Sequence, residues 1–387
     1  MNKNLYRVIF NKARGLLMVV AENGRGHGKG PAVSGEGHTL SQLIGQLSPL
    51  AFFTLGALGM VALMPQAQAA GIVADRSAPS GQQPMIGKTA NGTPQVNIQA
   101  PSAGGVSRNT YSQFDVDKKG VILNNSHRNT QTQQGGWVAA NPYLARGEAK
   151  VILNEVNSRD PSKLNGYIEV AGKRAQVVIA NPVGITCDGC GFINANRSTL
   201  TTGKAIMQNG QLTGYQVNGG EIVVQGAGMD SSRQDYTDLI AHTVKVNSGI
   251  WASDLKVTTG KNRVSADGAS VSKNTDSDND VKPALALDVA NLGGMYAGKI
   301  QLIGTESGVG VRNAGTLGAQ AGSVTLSADG HIENSGKINA SEDIQVSGRA
   351  LNNSGTLYAG RDTRASVSGQ LNNDGMVVAA RHTSARA

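Results

Sequence analysis

The sequence has little of what most enzymes are built from. Its 387 residues include two cysteines and 15 aromatic residues (5 Phe, 2 Trp and 8 Tyr), against 51 glycines. The six histidines are scattered, and neither His-Glu-x-x-His nor Gly-x-Ser-x-Gly occurs. Apolar residues do not recur at helical spacing after the N-terminus. We therefore expect no catalytic residues and no cofactor, and a chain of tight turns around a thin aliphatic core.

The positive charge does not mark a nucleic-acid-binding surface. The formal net charge is +8, but the first 69 residues hold six basic and two acidic residues. The rest of the chain keeps 29 basic and 25 acidic residues, a net charge of +4, with no basic run and no interleaved aromatic residues. We therefore expect no nucleic acid among the partners.

The apolar run at residues 50–64 is too short to span a bilayer comfortably. It has 15 residues and is followed by Pro65 and by Ala67-Gln68-Ala69, a small-x-small signal-peptidase site. Cleavage after Ala69 is therefore favoured over the alternative, a membrane anchor. Residues 1–69 are predicted to be an extended signal peptide, because the long basic opening resembles the extended signal region of very large Gram-negative exoproteins.

A short repeat dominates the last part of the chain. Gly315, Gly336, Gly355 and Gly375 each close an Asn-x-Gly triplet, and subtracting their numbers gives spacings of 21, 19 and 20 residues. Alternating apolar residues follow each triplet, as in strands with one buried face. This period suits one coil of a parallel β-helix and argues against a disordered linker. Asn at the same corner of each coil is expected to form a ladder of side-chain amides.

The chain before the repeats divides into a tail and an all-β unit. Residues 70–95 are rich in Pro, Ser and Gln, and we expect a flexible mature N-terminus there. Residues 96–303 contain short strand-like segments separated by turn residues, and residues 304–387 begin the repeats. The predicted strands are 96–98, 121–123, 150–153, 167–170, 176–180, 221–224 and 239–246.

Two Asn-Pro turns interrupt the all-β unit. They are Asn141-Pro142-Tyr143-Leu144 and Asn181-Pro182-Val183-Gly184-Ile185. Proline presets φ, and the residue before it is restricted to extended backbone. From the residues alone, both turns are predicted to be corners between coils.

The cysteines, Cys187 and Cys190, stand in Cys-Asp-Gly-Cys. A zinc site would need two more ligands nearby, and a thioredoxin-like pair would need a βαβ context. A structural disulfide or bridged turn is the favoured interpretation, and it suits export into an oxidising periplasm. The acidic stretch 276–280 is similar to the start of a calcium loop, but Val281 and Leu287 replace the Gly and Glu that such a loop requires. We expect no metal.

The motifs between residues 96 and 303 resemble the amino-terminal secretion domain of two-partner secretion exoproteins. That family includes filamentous haemagglutinin adhesins and contact-dependent growth-inhibition toxins. The toxin branch is the more similar, on residues 155–158 and 164–172. Tyr143 and Val183 depart from the family, whose turns usually carry a second Asn. The segments that carry the resemblance are 97–98, 104–107, 114–116, 120–126, 141–144, 152–156 and 180–194.

The resemblance implies a fold, a route and partners. The fold is a right-handed single-stranded parallel β-helix, with short extra-helical β elements at its N-terminal end. Inner-membrane secretion machinery and signal peptidase would deliver the chain to the periplasm. An outer-membrane transporter barrel with periplasmic modules would then export it to the cell surface. Asn141, Pro142, Leu144, Asn181, Pro182, Gly184 and Ile185 are the expected secretion motifs.

Two functions remain open at this level. One is toxin delivery in contact-dependent growth inhibition, with a target-cell receptor bound by a region outside this chain. The other is haemagglutinin-type adhesion in cell attachment and biofilm. Because the chain stops at Ala387 inside a repeat, we expect it to be a truncated form that lacks the effector.

Overall fold

The computed structural model describes strands at residues 6–11 and 16–21 and the continuous stretches 71–274 and 282–387. The first two strands, β1 (Tyr6–Asn11) and β2 (Leu16–Ala21), form an antiparallel hairpin with Tyr6 opposite Ala21. Ala67, Ala69 and the acidic stretch 276–280 lie outside the described residues. No helix in the described ranges is long and apolar enough to cross a membrane.

The two long stretches consist of short strands joined by tight turns. Short 3-10 turns at Ser80–Gln82 and Pro142–Leu144 are the helical elements among the described residues. Up to residue 201 the strands are β3 (Ile72–Ala74), β4 (Met85–Lys88), β5 (Pro94–Asn97), β6 (Val106–Phe114), β7 (Val121–Asn125), β8 (Thr130–Thr132), β9 (Gly136–Val138), β10 (Val151–Val156), β11 (Ser162–Leu164), β12 (Tyr167–Gly172), β13 (Ala175–Ala180), β14 (Gly184–Ile193) and β15 (Ala195–Thr201).

The next strands, up to residue 304, are β16 (Lys204–Gln208), β17 (Gln211–Val217), β18 (Glu221–Ser231), β19 (Tyr236–Ala241), β20 (Thr243–Val246), β21 (Gly249–Ala252), β22 (Asp254–Thr259), β23 (Asn262–Ser265), β24 (Val271–Lys273), β25 (Leu285–Val289), β26 (Gly294–Ala297) and β27 (Lys299–Gly304). The last twelve are β28 (Gly310–Asn313), β29 (Thr316–Ala319), β30 (Val324–Ala328), β31 (His331–Asn334), β32 (Lys337–Ala340), β33 (Ile344–Gly348), β34 (Ala350–Asn353), β35 (Thr356–Ala359), β36 (Thr363–Val367), β37 (Leu371–Asn373), β38 (Met376–Ala379) and β39 (Thr383–Arg386). All the strands predicted from the sequence overlap strands of the structure.

Three parallel stacks of strands make the molecule a β-helix. One stack is a twelve-stranded sheet, parallel apart from its first strand β3, with the order β3-β6-β10-β13-β15-β19-β22-β27-β30-β33-β36-β39. The other two run side by side in a second sheet, and in the repeats they are β28-β31-β34-β37 and β29-β32-β35-β38. Each coil of the repeats therefore contributes one strand to each stack. In the repeats the coils advance by about twenty residues, which confirms the prediction from the Asn-x-Gly spacing.

The core fills the space between the three stacks. Ile332, Ile338 and Ile344, one from each strand of a single coil, are at most 2% exposed. Neighbouring Glu333, Lys337 and Gln345 are exposed, so the alternation in the sequence gives one buried and one solvated face. The same cluster continues from Ile72 to Val367. A thin column of Ile, Leu, Val and Ala thus replaces a core of aromatic residues.

Residues 71–95 form strands rather than the flexible tail that their composition suggested. Strand β3 pairs antiparallel with β6, and β4 pairs antiparallel with β5, which itself joins β7. Ile72 is fully buried and Ile86 is 8% exposed. The expectation of a flexible N-terminus is therefore corrected: a few apolar side chains hold this segment, which we call the N-terminal cap, on the first coil.

Extra-helical strands lie outside the stacks, both near the N-terminus and further along the chain. Strands β8 and β9 form a hairpin, and β16-β17-β23-β24 form a four-stranded antiparallel sheet. Tyr215, Val217 and Val264 of that sheet pack on outward-facing Leu153 and Val178 of the twelve-stranded sheet. This second apolar layer explains why the outer face of the stack is apolar at these coils.

Candidate functional site: the Asn-Pro corners

The first Asn-Pro corner joins the β8–β9 hairpin to β10. Asn141 is extended (φ −74°, ψ 118°), and its Oδ1 accepts a hydrogen bond from the Tyr143 backbone N–H at 3.0 Å. Its Nδ2 donates to the carbonyl oxygens of Ile98 (2.9 Å) and Asn124 (2.8 Å). The side chain is 2% exposed. One buried amide therefore caps the Pro142–Leu144 turn and binds two other segments of the chain.

The second corner, between β13 and β14, repeats this arrangement. Asn181 Oδ1 accepts from the Val183 backbone N–H at 3.0 Å, and its Nδ2 donates to the Asp160 carbonyl oxygen (2.9 Å) and to Ser162 Oγ (3.0 Å). Asn181 is fully buried. In both corners the amide satisfies groups that would otherwise be buried without partners, which is why Asn suits the position.

The residues after each Asn-Pro pair divide between core and solvent. Leu144 and Ile185 enter the core and are at most 1% exposed. Tyr143 and Val183 are 38% and 42% exposed, and each contributes its backbone N–H to the corner. At both positions the corner therefore uses the backbone of the residue, and its side chain lies in solvent.

Gly184 follows at a point of close approach. It is buried, with φ +151°, and a Cβ there would lie 3.0 Å from the Glu221 carbonyl oxygen of the next coil. A larger residue would push the corner away from β18.

A pocket of about 430 Å³ adjoins the second corner. Pro182 forms one wall, Ala78 and Pro79 of the N-terminal cap form another, and the ion pair between Arg108 and Glu155 lies within it. Glu155, Val156 and Asn157 thus line this pocket together with residues of the cap.

The cap is also held through a carboxylate. Asn157 Nδ2 donates to Asp75 Oδ2 at 3.0 Å, and the Ser77 backbone N–H and Oγ donate to Asp75 Oδ1. The hydrogen bonds from the side chains of Ser77 and Asn157 lower the pKa of Asp75 below its ordinary value. Sequence reasoning missed these contacts, because an Asp in a Pro/Ser/Gln-rich segment gives no sign of a partner far along the chain.

The two cysteines lie in β14, just after the second corner. Their sulfur atoms are bonded, their Cα atoms are 5.3 Å apart, and both side chains are buried. The register of β14 against β18 shifts between Asp188 and Cys190, and Gly189 has φ +80°. The bond therefore closes a bulge where a single strand passes from one stack to the next. Among the described residues, no three His, Cys, Asp or Glu side chains converge as a metal site would require.

A parallel β-helix with a strand-built N-terminal cap and buried Asn-Pro corners defines the class of this molecule, that of β-helical secretion domains. The solved structure titled "Crystal structure of filamentous hemagglutinin secretion domain" is similar, with a TM-score of 0.67 and 28% identity over 81% of this chain and 99% of that chain. The family model for the TPS secretion domain matches residues 70–340. The chain belongs to the family of TPS, or two-partner secretion, domains. The match includes the cap and extends beyond the expected limits of 96–303.

The N-terminus matches a second family model. The extended signal peptide of the type V secretion system matches residues 1–51. Together, the signal and the secretion domain direct the chain through the periplasm to the surface of a Gram-negative bacterium, and the domain implies a dedicated outer-membrane transporter as partner.

Relatives with this region are much longer proteins. "Toxin CdiA" of Yersinia pestis is 61% identical over 94% of this chain, and "tRNA nuclease CdiA-2" of Burkholderia pseudomallei is 46% identical over 88%. "16S rRNA endonuclease CdiA" of Enterobacter cloacae is 45% identical over 67% of this chain. The chain spans 11% of the length of the first two relatives and 8% of the third.

Proposed function

We propose that this chain is the secretion and filament-initiating part of a large exoprotein that serves contact-dependent growth inhibition. The 61% identity to "Toxin CdiA" over nearly the whole chain is the observation that carries the proposal. Toxic activity belongs to a region outside these residues. The part described here binds the transporter and starts the rod, and it has no catalytic role.

Co-culture tests the growth-inhibition proposal. A strain with the intact locus is mixed with target cells, in contact and across a filter that cells cannot pass, and surviving targets are counted. We expect killing only in contact, and its loss when the coding region for residues 71–340 is deleted in frame. Equal survival of the targets beside both strains contradicts the proposal.

Adhesion is the second candidate, supported by the similarity to the filamentous haemagglutinin domain. Sequencing the DNA beyond the codon for Ala387 separates the two. A toxic domain followed by a small immunity gene supports growth inhibition, whereas further repeats alone support adhesion.

We also propose that the Asn-Pro corners are needed for export, because periplasmic modules of the transporter bind the secretion domain and its coils fold outside the pore. Each coil pairs mainly with its neighbours, so folding can propagate from the first coils to emerge. Coils folded outside bias the chain against sliding back. Asn181 and Asn141 fix early corners of this rod.

A paired substitution tests the corners. Asn181→Ala with Pro182→Ala removes the amide and the preset φ, and we expect the protein to stay in the periplasm when the transporter is co-expressed. Val183→Asn is the matched control, because that side chain is exposed and only its N–H holds the turn. Undiminished export of the paired variant rejects the proposal.

A further inference from the structure

Two aromatic side chains lie side by side on the outer face of the rod, away from the Asn-Pro corners. Trp251 of β21 and Tyr296 of β26 are register partners on neighbouring coils. Their ring centroids are 6.3 Å apart and their planes differ by 19°. Trp251 is 44% exposed. The residues that precede the two aromatic residues in their strands, Ile250 and Met295, are buried in the core. The two ring planes are therefore nearly parallel.

Glycines make room for these rings on the sheet. A Cβ at Gly249 would lie 2.6 Å from Trp251 Cη2, and one at Gly228 would lie 3.0 Å from Trp251 Cζ3. A Cβ at Gly294 would lie 2.7 Å from the Tyr296 hydroxyl oxygen. The rings thus occupy the space that side chains at these positions would take. They lie over the sheet instead of standing away from it.

Polar groups border the aromatic surface. Asp230 is the register partner of Trp251 on the preceding coil, and its Oδ2 accepts a hydrogen bond from the Tyr167 hydroxyl at 2.8 Å. Burial, and after it this hydrogen bond, raises the pKa of Tyr167 to about 12, so the hydroxyl keeps its proton. On the other side, Tyr296 is followed in register by Gly318 and then by Asn339.

The size of the surface decides what it can bind. A stable protein interface buries about 800 Å² on each partner and centres on pockets that exclude water. Here two rings lie on an open face between glycines and polar side chains, which is too little apolar area for that. A pyranose ring presents an apolar C–H face to an aromatic ring and hydroxyl groups around its edge. Successive sugar rings can cover Trp251 and Tyr296, and Asp230 can accept from their hydroxyls.

We propose that Trp251, Tyr296 and Asp230 form a binding platform for a short neutral oligosaccharide. The platform faces solvent on the rod and is available to a glycan of a cell surface once the chain is exported. The proposal stands apart from the choice between toxin delivery and adhesion.

Tryptophan fluorescence of the exported chain tests the platform, because the sequence has only two tryptophans. Trp137→Phe leaves Trp251 as the one reporter. Chitotriose, cellotriose, maltotriose and mannotriose are titrated in turn, and we expect a saturable change for at least one of them, with Kd near 1 mM or below, about −4 kcal/mol of binding free energy. Calorimetry with that trisaccharide then compares variants.

Matched variants separate the platform from general surface effects. Trp251→Ala and Tyr296→Ala are each expected to weaken binding about tenfold, and Asp230→Asn to weaken it less. Tyr358→Ala is the control. Tyr358 is 51% exposed and lies two coils beyond Gly318 in the same row of outward-facing register partners. If Trp251→Ala is poorly exported, Trp251→Phe, which keeps a ring, and Tyr296→Ala carry the comparison.

Three outcomes overturn the proposal. The first is that none of the four trisaccharides changes the fluorescence up to about 10 mM. The second is that binding survives in both alanine variants. The third is that Trp251→Ala and Tyr296→Ala block export while the parent chain binds no trisaccharide, which would assign the surface to the transporter.

Discussion

Asn141 and Asn181 show what a single amide does in this fold. Each side chain accepts one hydrogen bond from the turn that follows it and donates two, which Asn141 makes to two separate segments and Asn181 makes to the single segment 160–162. A hydrogen bond contributes about 1 kcal/mol net, but a buried partner left unsatisfied costs about 1–3 kcal/mol. We therefore expect the corners to be sensitive to Asn→Ala and tolerant of change at the exposed Tyr143 and Val183.

The disulfide gives a residue-scale prediction. A bond that closes a loop of so few residues removes little entropy from the unfolded chain, about 2 kcal/mol in the chain-entropy treatment. Replacing Cys187 and Cys190 together by Ala is expected to lower stability by no more than about that amount. Urea unfolding of the purified chain measures it.

Export and zinc content complete the cysteine test. The Ala variant should still reach the medium with the transporter present. Because both cysteine side chains are buried, the matching Ser variant should be the less stable of the two, since it places hydroxyl groups in an apolar core. Loss of export, or zinc bound in equal amount to the protein, would show a larger role for this pair.

At the scale of elements, the repeats are tied together by a ladder of buried asparagines. Asn313, Asn334 and Asn353 each donate from Nδ2 to the Oδ1 of the next Asn, at 2.8, 2.7 and 2.6 Å, ending at Asn373. The amide ladder expected from the sequence is thereby confirmed. Amides at one corner link every coil to the next.

Position in the ladder sets the cost of losing a rung. Asn334→Ala removes a donor and an acceptor in a buried row, and we expect it to destabilise the chain by about 2 kcal/mol. Asn373→Ala is the matched control: it ends the row and is exposed, so it removes only the acceptor of Asn353, and its effect should be smaller, about 1 kcal/mol. Hydrogen exchange of the backbone amides of β31 and β34 measures this loss of stability. Equal effects of both substitutions would contradict the ladder's contribution.

The N-terminal cap is expected to loosen in acid. The folded-state pKa of Asp75 is lowered by hydrogen bonds from Ser77 and Asn157, so its contribution to stability is present above the unfolded pKa, about 3.9. That contribution is lost as the pH falls through the still lower folded value. Limited proteolysis within residues 71–95 at a series of pH values measures it.

An isosteric variant isolates the carboxylate. Asp75→Asn cannot ionise, so cleavage of its cap should be greater than wild type at neutral pH and should change less between pH 6 and the acid range, about pH 3. If the wild-type cap resists cleavage equally at every pH, Asp75 does not hold it.

The coils could be predicted from the sequence, whereas the N-terminal cap and the extra-helical sheet that cover them could not. Asn-x-Gly triplets mark each coil of the repeats directly, because the turn and the ladder need those residues at every step there. The N-terminal cap was misread because Ile72 and Ile86 are few among polar residues, and their burial depends on β6 and β5. The extra-helical sheet lacks a period. Tyr215 became a core residue by packing on a face that the coil pattern marks as outer.

The site was predictable to a similar degree. Asn141-Pro142 and Asn181-Pro182 were identified as corners from local backbone rules, and the structure places them there. Their partners, such as the Ile98 carbonyl oxygen and Ser162 Oγ, are 43 and 19 residues away in sequence. Such pairings follow from the stacking of coils and not from any local pattern.

At the scale of the whole molecule, order along the chain matches order along the rod. The cap and the Asn-Pro corners come first, the extra-helical sheet packs back on the early coils of β6, β10, β13 and β19, and the Asn ladder ties the last ones. Each later coil finds the previous one as a template for its backbone hydrogen bonds. This arrangement suits a chain whose N-terminal end emerges from a pore first and which folds as it emerges.

The cellular location of a fused passenger protein tests the central claim, that the capped coils are an export domain for a dedicated outer-membrane transporter. An epitope-tagged passenger is joined after Ala387, and its amount in periplasm and medium is measured with and without the cognate transporter. We expect it outside the cell only when the transporter is present, and retained in the periplasm when residues 71–95 are deleted. Passenger in the medium without the transporter, or unchanged export without the cap, would contradict the account.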